Sequence, residues 1–218
     1  MSTLQVHEIF SSIQGESTRA GLPCSFVRLT GCNLRCRWCD TTYAYEGGEG
    51  MTVREVVERV AGLGVALVEV TGGEPLLQPA TVELLAALRD ERFEVMLETN
   101  GSLDVSVVPE GVFRVIDLKC PGSGMHKRML MSNLDVLRPT DEMKFVLADR
   151  ADYEWARDLV RNDGRLTQTA AIHFVPVCRD DGSGLRPAEL AGWMLADRVE
   201  ARLSLQLHKV IWGWETRR

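Results

Sequence analysis

Cys32-Asn33-Leu34-Arg35-Cys36-Arg37-Trp38-Cys39 sets three thiols in the spacing C-x3-C-x2-C, directly after the β-like run Ser25 to Leu29. Thiolates on so short a loop can converge on one centre, and they suit iron-sulfur clusters and zinc. A structural zinc calls for a fourth protein ligand, usually from a second C-x-x-C or a nearby His. The four histidines stand far off in sequence, at 7, 126, 173 and 208. A cubane 4Fe-4S cluster on three cysteines instead keeps one iron open to a substrate or cofactor. Of the remaining thiols, Cys24 and Cys178 read as small buried hydrophobes, and Cys120, in a Gly/Pro loop, stays open.

Outward from this loop the chain alternates β-like apolar runs with helical patterns. Thr52-Val53-Arg54-Glu55 is a T-x-x-E capping box, and Val53, Val56, Val57 and Val60 mark the helical face behind it until Gly62 and Gly64. Val65 to Val70 reads as a strand, Leu77-Gln78-Pro79 as the opening of a second helix with Pro79 in its first turn, and Phe93 to Leu97 as the next strand. Phe113 to Leu118, Met143 to Leu147, Ile172 to Val177 and Leu203 to Leu207 continue the strand series. Helical stretches fall near Leu134, over Tyr153 to Val160, and after Pro187. Such alternation implies a parallel sheet covered by helices. Eight closed βα units need more residues than remain after the segment from Ser11 to Met51, and no G-x-G-x-x-G follows any strand. The expected fold is α/β, a partial TIM-like barrel of about six parallel strands, formed by residues 1–218 as one domain.

Composition excludes several classes. The 218 residues are 45% hydrophobic and 26% charged, which is ordinary for a globular chain and outside the disordered regime. No apolar run approaches the roughly 18 residues of a membrane span, and MSTLQVHEIF lacks the basic and apolar regions of a signal peptide. The expectation is a cytoplasmic protein with reduced thiols. A net charge of −6 offers no basic field for nucleic acid, so the expected partner is a small molecule or a protein.

C-x3-C-x2-C with an aromatic before its last cysteine, followed downstream by Thr71-Gly72-Gly73-Glu74-Pro75, resembles the radical S-adenosylmethionine (SAM) enzymes. Further segments narrow the resemblance: Glu8 to Glu16 (EIFSSIQGE), Phe26-Val27-Arg28, Cys39-Asp40-Thr41-Thr42, Glu98-Thr99-Asn100-Gly101, Asp117-Leu118-Lys119-Cys120-Pro121 and Gln206-Leu207-His208-Lys209. From about residue 5 to 212 the chain is similar to the 7-carboxy-7-deazaguanine synthases of the queuosine pathway. That resemblance implies a radical SAM lyase that converts 6-carboxy-5,6,7,8-tetrahydropterin to 7-carboxy-7-deazaguanine with loss of ammonia. It also implies a 4Fe-4S cluster, SAM, Mg²⁺, a homodimer, and an external one-electron donor such as a flavodoxin.

Carried onto this sequence, the resemblance gives Cys32, Cys36 and Cys39 as cluster ligands and Thr41 as the Mg²⁺ ligand. It gives Trp38, Asp40, Gly73, Asp117 and Lys119 to SAM, and Ile13, Gln14, Gly15, Glu16, Arg28, Thr71 and His208 to the pterin. The chemistry agrees: a guanidinium binds a carboxylate bidentately, and Mg²⁺ prefers hard oxygen ligands. Two departures stand out. Ser17 replaces a glycine common in the family, which leads us to expect a different loop backbone there, and Asp117-Leu118-Lys119 stands where many members read Ser-Pro-Lys. Ile211 to Arg218 runs past the last motif and receives no role. The competing enzyme reading is a glycyl-radical activase, and the competing non-enzyme is a zinc-binding interaction module on the same three cysteines.

Overall fold

The structure, a computed structural model, describes residues 2–179, 181 and 183–213. Residues 214–218, the end of the extension past the last motif, lie outside the described residues. Among the described residues nine strands form one sheet in the order β3-β1-β2-β4-β5-β6-β7-β8-β9. These are β1 (Thr3–Ile13), β2 (Pro23–Leu29), β3 (Glu49–Thr52), β4 (Leu67–Gly72), β5 (Glu94–Thr99), β6 (Phe113–Asp117), β7 (Glu142–Leu147), β8 (Ala171–Pro176) and β9 (Arg202–Leu203). From β2 through β9 every neighbouring pair is parallel. The six longer parallel strands match the expectation of an incomplete barrel of about six.

Two strands were not anticipated: β1 and β3, which extend the sheet antiparallel beyond β2. At the other edge the expected strand Leu203 to Leu207 shrinks to Arg202–Leu203, because Leu207 already begins a helix.

Helices α1 (Val53–Ala61), α2 (Thr81–Asp90), α3 (Arg150–Asn162), α4 (Pro187–Asp197) and α5 (Leu207–Trp212) complete the fold. Thr52 caps α1 in the reciprocal box with Glu55 that the sequence announces. The second helix differs from expectation, since α2 starts at Thr81 and the preceding proline turn is a short 3₁₀ segment, Pro75–Leu77. The stretch near Leu134 is likewise 3₁₀, Met131–Val136. One core packs α1 and α2 against β1, β2, β4 and β5 through Val27, Val56, Val70 and Leu85. A second packs α3 and α4 under β6 to β8 through Phe145, Tyr153, Phe174 and Leu190. Burying such side chains contributes about 1.5–3 kcal/mol each. Among the described residues no helix is long and apolar enough to cross a membrane.

Topology positions the site. The carboxyl ends of β2 and β4 to β8 point the same way, and the loops after them carry the cysteines and Gly72-Gly73-Glu74. Because β1 runs antiparallel to β2, with Ile13 opposite Pro23, the hairpin 14–22 lies at the opposite end, where the parallel strands begin. Its backbone closes with Gln14 N donating to Leu22 O and Gly21 N to Gln14 O. Ser17 adopts φ 67° there. The serine therefore takes the left-handed conformation that glycine favours, and its Oγ accepts from Arg19 N at 3.0 Å.

Candidate active site

A cleft of about 580 Å³ opens among the strand ends. On one wall lie Cys32, Cys36 and Cys39, half-buried and in thiol form. Their loop is braced from β4 and β5. The buried Glu74 carboxylate accepts from Leu76 N, Thr99 Oγ1 and Asn100 N, and Asn100 Nδ2 in turn donates to Asn33 Oδ1 at 3.2 Å and lies 3.8 Å from Cys32 Sγ. A Cβ built on Gly73 would stand 2.2 Å from Gly31 O and 2.7 Å from Cys32 Cβ. Glycine is required at 73 so that β4's end can lie against the cysteine loop.

Burial pushes the Cys32 and Cys36 thiols up, so bound iron would supply the positive charge that holds them as thiolates. Among the described residues no three His, Cys, Asp or Glu side chains converge tightly enough for a single metal ion. Three cysteines on one wall of a roomy cleft, without a fourth ligand, fit a 4Fe-4S cluster in which each thiolate takes a different iron. Beside them Asp117 Oδ1 is buried with no partner among the described residues, while Asp117 Oδ2 accepts from Lys119 Nζ at 2.7 Å. Trp38 packs over Gly122, and both Trp38 and Gly73 face the cleft, leaving room and an acceptor for a cofactor beside the cluster.

The floor is acidic and buried. Lys144 Nζ on β7 donates to Glu16 Oε2 at 2.8 Å, contacts Glu98 Oε1, and lies 3.6 Å from Asp117 Oδ2. Against the penalty of burial, Lys144 holds Glu16 below the usual carboxylate range. Burial lifts Glu98 despite the same lysine. On β4, Glu69 is pushed up to about 8 by burial and then by Glu98, and its Oε2 accepts from Gln14 Nε2. Glu16 Oε1 is buried and without a partner among the described residues. A floor of carboxylates with spare acceptor atoms suits a ligand rich in N–H donors.

The other wall is basic. Arg28, near the end of β2, donates through Nε to Glu8 Oε1 at 2.7 Å and stands over the Tyr43 ring. Glu8 engages Nε, so the terminal nitrogens of the fork are available to an anion in the cleft. The tail closes the remaining side. Leu207 N donates to Gly15 O at 3.0 Å, and a Cβ on Gly15 would meet His208 Nδ1 at 2.2 Å, so only glycine admits the ring at this distance. Burial holds His208 below its usual value. Lys209 Nζ donates to Asp40 Oδ2 at 2.8 Å, and Thr41 Oγ1 to Asp40 Oδ1 at 3.0 Å. Both bonds hold the Asp40 carboxyl well below the usual range although burial opposes them.

Residues 26–119 match the Radical SAM superfamily. Over 98% of its length the chain is 44% identical to the 7-carboxy-7-deazaguanine synthase of Koribacter versatilis (strain Ellin345), spanning 99% of that protein. The chain belongs to the 7-carboxy-7-deazaguanine synthase family. The synthase of Chlorobaculum tepidum is 46% identical over 98% of the chain and 96% of its own length. The crystal structure of QueE from Escherichia coli superposes with a TM-score of 0.74, covering 94% of both chains at 22% identity, and so shares the fold. Family membership brings with it the 4Fe-4S cluster and SAM, and makes the chain a radical SAM lyase.

All sixteen residues singled out from the sequence line this one cleft. Cys178 is a correction: it is half-buried and lines the same cleft beside Val177, because it follows the carboxyl end of β8. Cys24 and Cys120 are fully buried. Sequence reasoning missed Glu69, Glu98, Lys144, Glu8 and Tyr43. The signal was present for three of them, since Glu69, Glu98 and Lys144 are charged residues inside otherwise apolar strand runs, where an unpaired charge is costly.

Proposed function

We propose that the chain converts 6-carboxy-5,6,7,8-tetrahydropterin to 7-carboxy-7-deazaguanine, releasing ammonia, with the pterin seated between Arg28 and the acidic floor. The observation that carries this reading is the placement of Arg28, Glu16 with its spare Oε1, and His208 in the same cleft as the three cysteines. Cys32, Cys36 and Cys39 would hold the cluster, with Trp38, Asp40, Gly73, Asp117 and Lys119 around SAM. When bound, the cluster and SAM would supply the one-electron radical chemistry that removes hydrogen from the pterin. The chain's own part is to bind and orient. Arg28 grips the pterin carboxylate, while Glu16, Gln14 and Thr71, with the backbone of Ile13 and Gly15, meet its N–H groups. His208 covers the ring and excludes water. A glycyl-radical activase must admit a protein segment, whereas here the tail closes on Gly15 and Asp40.

Thr41 is the proposed Mg²⁺ ligand, its hydroxyl facing the cleft beside Asp40, with substrate oxygens completing the hard donor set. A flavodoxin-like donor is the proposed reductant. Exposed Arg35, Arg37, Lys127 and Arg128 surround the cysteine loop, brought together by Arg37 N donating to Ser123 O, and they suit an acidic partner. A homodimer is supported by the exposed apolar Leu203, Leu205, Val210 and Ile211 at the free sheet edge. A cytoplasmic setting fits six free thiols.

The test is anaerobic incubation of the reconstituted chain with SAM, reductant and the carboxypterin, with products read by mass. Deazaguanine is expected. Arg28→Ala should raise the pterin KM about ten- to a hundredfold, the value of a charge-assisted carboxylate contact, with SAM binding unchanged. Full cluster and SAM cleavage with no deazaguanine would overturn the assignment.

A further inference from the structure

We propose that Glu142 and His173 form a buried tie that positions the pterin wall by joining the hairpin that carries Glu16 to the tail that carries His208. This rests on the pterin reading above. Glu142 begins β7 and His173 lies in β8, at 1% and 2% exposure. Thr18 donates to Glu142 twice, from its backbone N to Oε2 at 2.8 Å and from its hydroxyl to Oε1. Arg19 Nη1 stands 3.5 Å from the same carboxylate. His173 Nε2 lies 2.8 Å from Glu142 Oε2, and its Nδ1 lies 2.7 Å from Ser204 Oγ. A carboxylate opposite Nε2 demands a proton on that nitrogen, so in the neutral ring Nδ1 accepts from the Ser204 hydroxyl.

Serine, histidine and acid stand here in the order of a nucleophilic triad, yet none of the three lines the cleft. Their chemistry is therefore mechanical. Among the described residues the sheet does not close, since its edge strands β3 and β9 do not pair, and the gap is sealed by the hairpin 14–22 and by the tail that runs from Ser204 into α5. Glu142 and Lys144 sit two residues apart on one face of β7, and they hold Thr18 and Glu16, also two residues apart. The two rungs are matched, so a shift of the Thr18 rung moves the Glu16 carboxylate. Through His173 the lower rung reaches Ser204, four residues before His208. Glu142 and His173 are thus positioning residues, acting on substrate only through Glu16 and His208.

Thr18 and Ser204 touch neither each other nor the cleft, and they test the tie as a pair. Thr18→Val and Ser204→Ala are each expected to raise the pterin KM roughly three- to tenfold, the worth of one hydrogen bond. The SAM KM and iron content should stay unchanged, and more SAM should be cleaved per deazaguanine formed. The double variant should fall short of the product of the two single effects, because both changes weaken the one tie, Thr18→Val by removing its hydroxyl bond while the backbone bond stays, and Thr18→Ser should restore the parental KM. Hydrogen exchange of the chain without substrate gives an independent reading: Ser204→Ala should speed exchange at residues 14–18, and Thr18→Val at 205–208. KM effects that multiply in the double variant, or exchange changes confined to the altered segment, would overturn the proposal. If the parent chain forms no deazaguanine, the pterin reading fails on its own, while the exchange arms still decide whether the tie exists.

Discussion

Lys144→Met keeps the stem of the side chain and removes its ammonium from among three carboxylates. In the folded chain that nitrogen lies 2.8 Å from Glu16, touches Glu98, and is 3.6 Å from Asp117. With an effective dielectric near 20, a 2.8 Å contact amounts to roughly 6 kcal/mol of attraction, against several kcal/mol for taking the ammonium out of water. Without it, buried Glu16 and Glu98 face one another uncompensated, and the expected loss is about 3–5 kcal/mol. For a chain of this size that lowers Tm by roughly 6–20 °C. The assay is a thermal melt of the cluster-loaded variant under anaerobic conditions at pH 8 and pH 5.5. Carboxylates without their lysine take up protons in the folded state as the pH falls, so the deficit should be smaller at pH 5.5. Lys144→Met with Glu98→Gln should recover part of the loss. A melt within about 2 °C of the parent at pH 8, or a deficit that grows on acidification, would refute the charge-cage reasoning.

Gly73→Ala should displace the cysteine loop, since the added Cβ meets Gly31 O at 2.2 Å; reconstituted iron and sulfide should fall well below the parent's, whereas Gly192→Ala, with nothing within 4 Å of the new atom, should load fully. Glu69 holds its proton up to about pH 8 when folded, against 4.5 in the ordinary carboxyl. Stability should therefore decline as pH rises from about 4.5 to 8. Glu69→Gln should flatten that slope, by up to roughly 1 kcal/mol per pH unit in urea titrations, and parallel slopes would remove Glu69's raised value. Thr41→Val should weaken the response of turnover to Mg²⁺ more than it weakens cluster assembly, and an intact Mg²⁺ response would take Thr41 out of the metal site.

The parallel half of the sheet was legible because each strand is a short apolar run followed by a helix or a turn. The cleft was legible because the cysteine loop and Gly72-Gly73-Glu74 end two of those strands. What stayed hidden has physical causes. In β1 the alternation of apolar residues begins at Leu4 and Val6 and then slips, because the register shifts between Val6 and Glu8; Ile9 and Phe10 then fall in succession, and a period-two pattern no longer shows. In β3 only Met51 is buried, too little for any pattern. Ser17 takes positive φ because the loop is held by bonds from Gln14, Gly21 and Arg19, which outweigh a serine's reluctance. Lys144 and Glu69 fell inside expected strands and Glu98 just past one, with no role given to any of them, since no sequence distance hints that positions 16, 98 and 144 meet.

Those separations govern how the molecule comes into being. Glu16 finds Lys144 across 128 residues, and Lys209 finds Asp40 across 169. Closing loops this long costs entropy before any contact repays it. During synthesis at roughly 5–20 residues per second, the interval between the emergence of Asp40 and that of Lys209 is on the order of ten to thirty seconds. The wall that carries the cysteines depends mainly on segments up to Lys119, while the lid over the substrate arrives only with Leu207–Trp212. A nascent polypeptide can thus have its cofactor wall in place well before it has anywhere to seat a pterin.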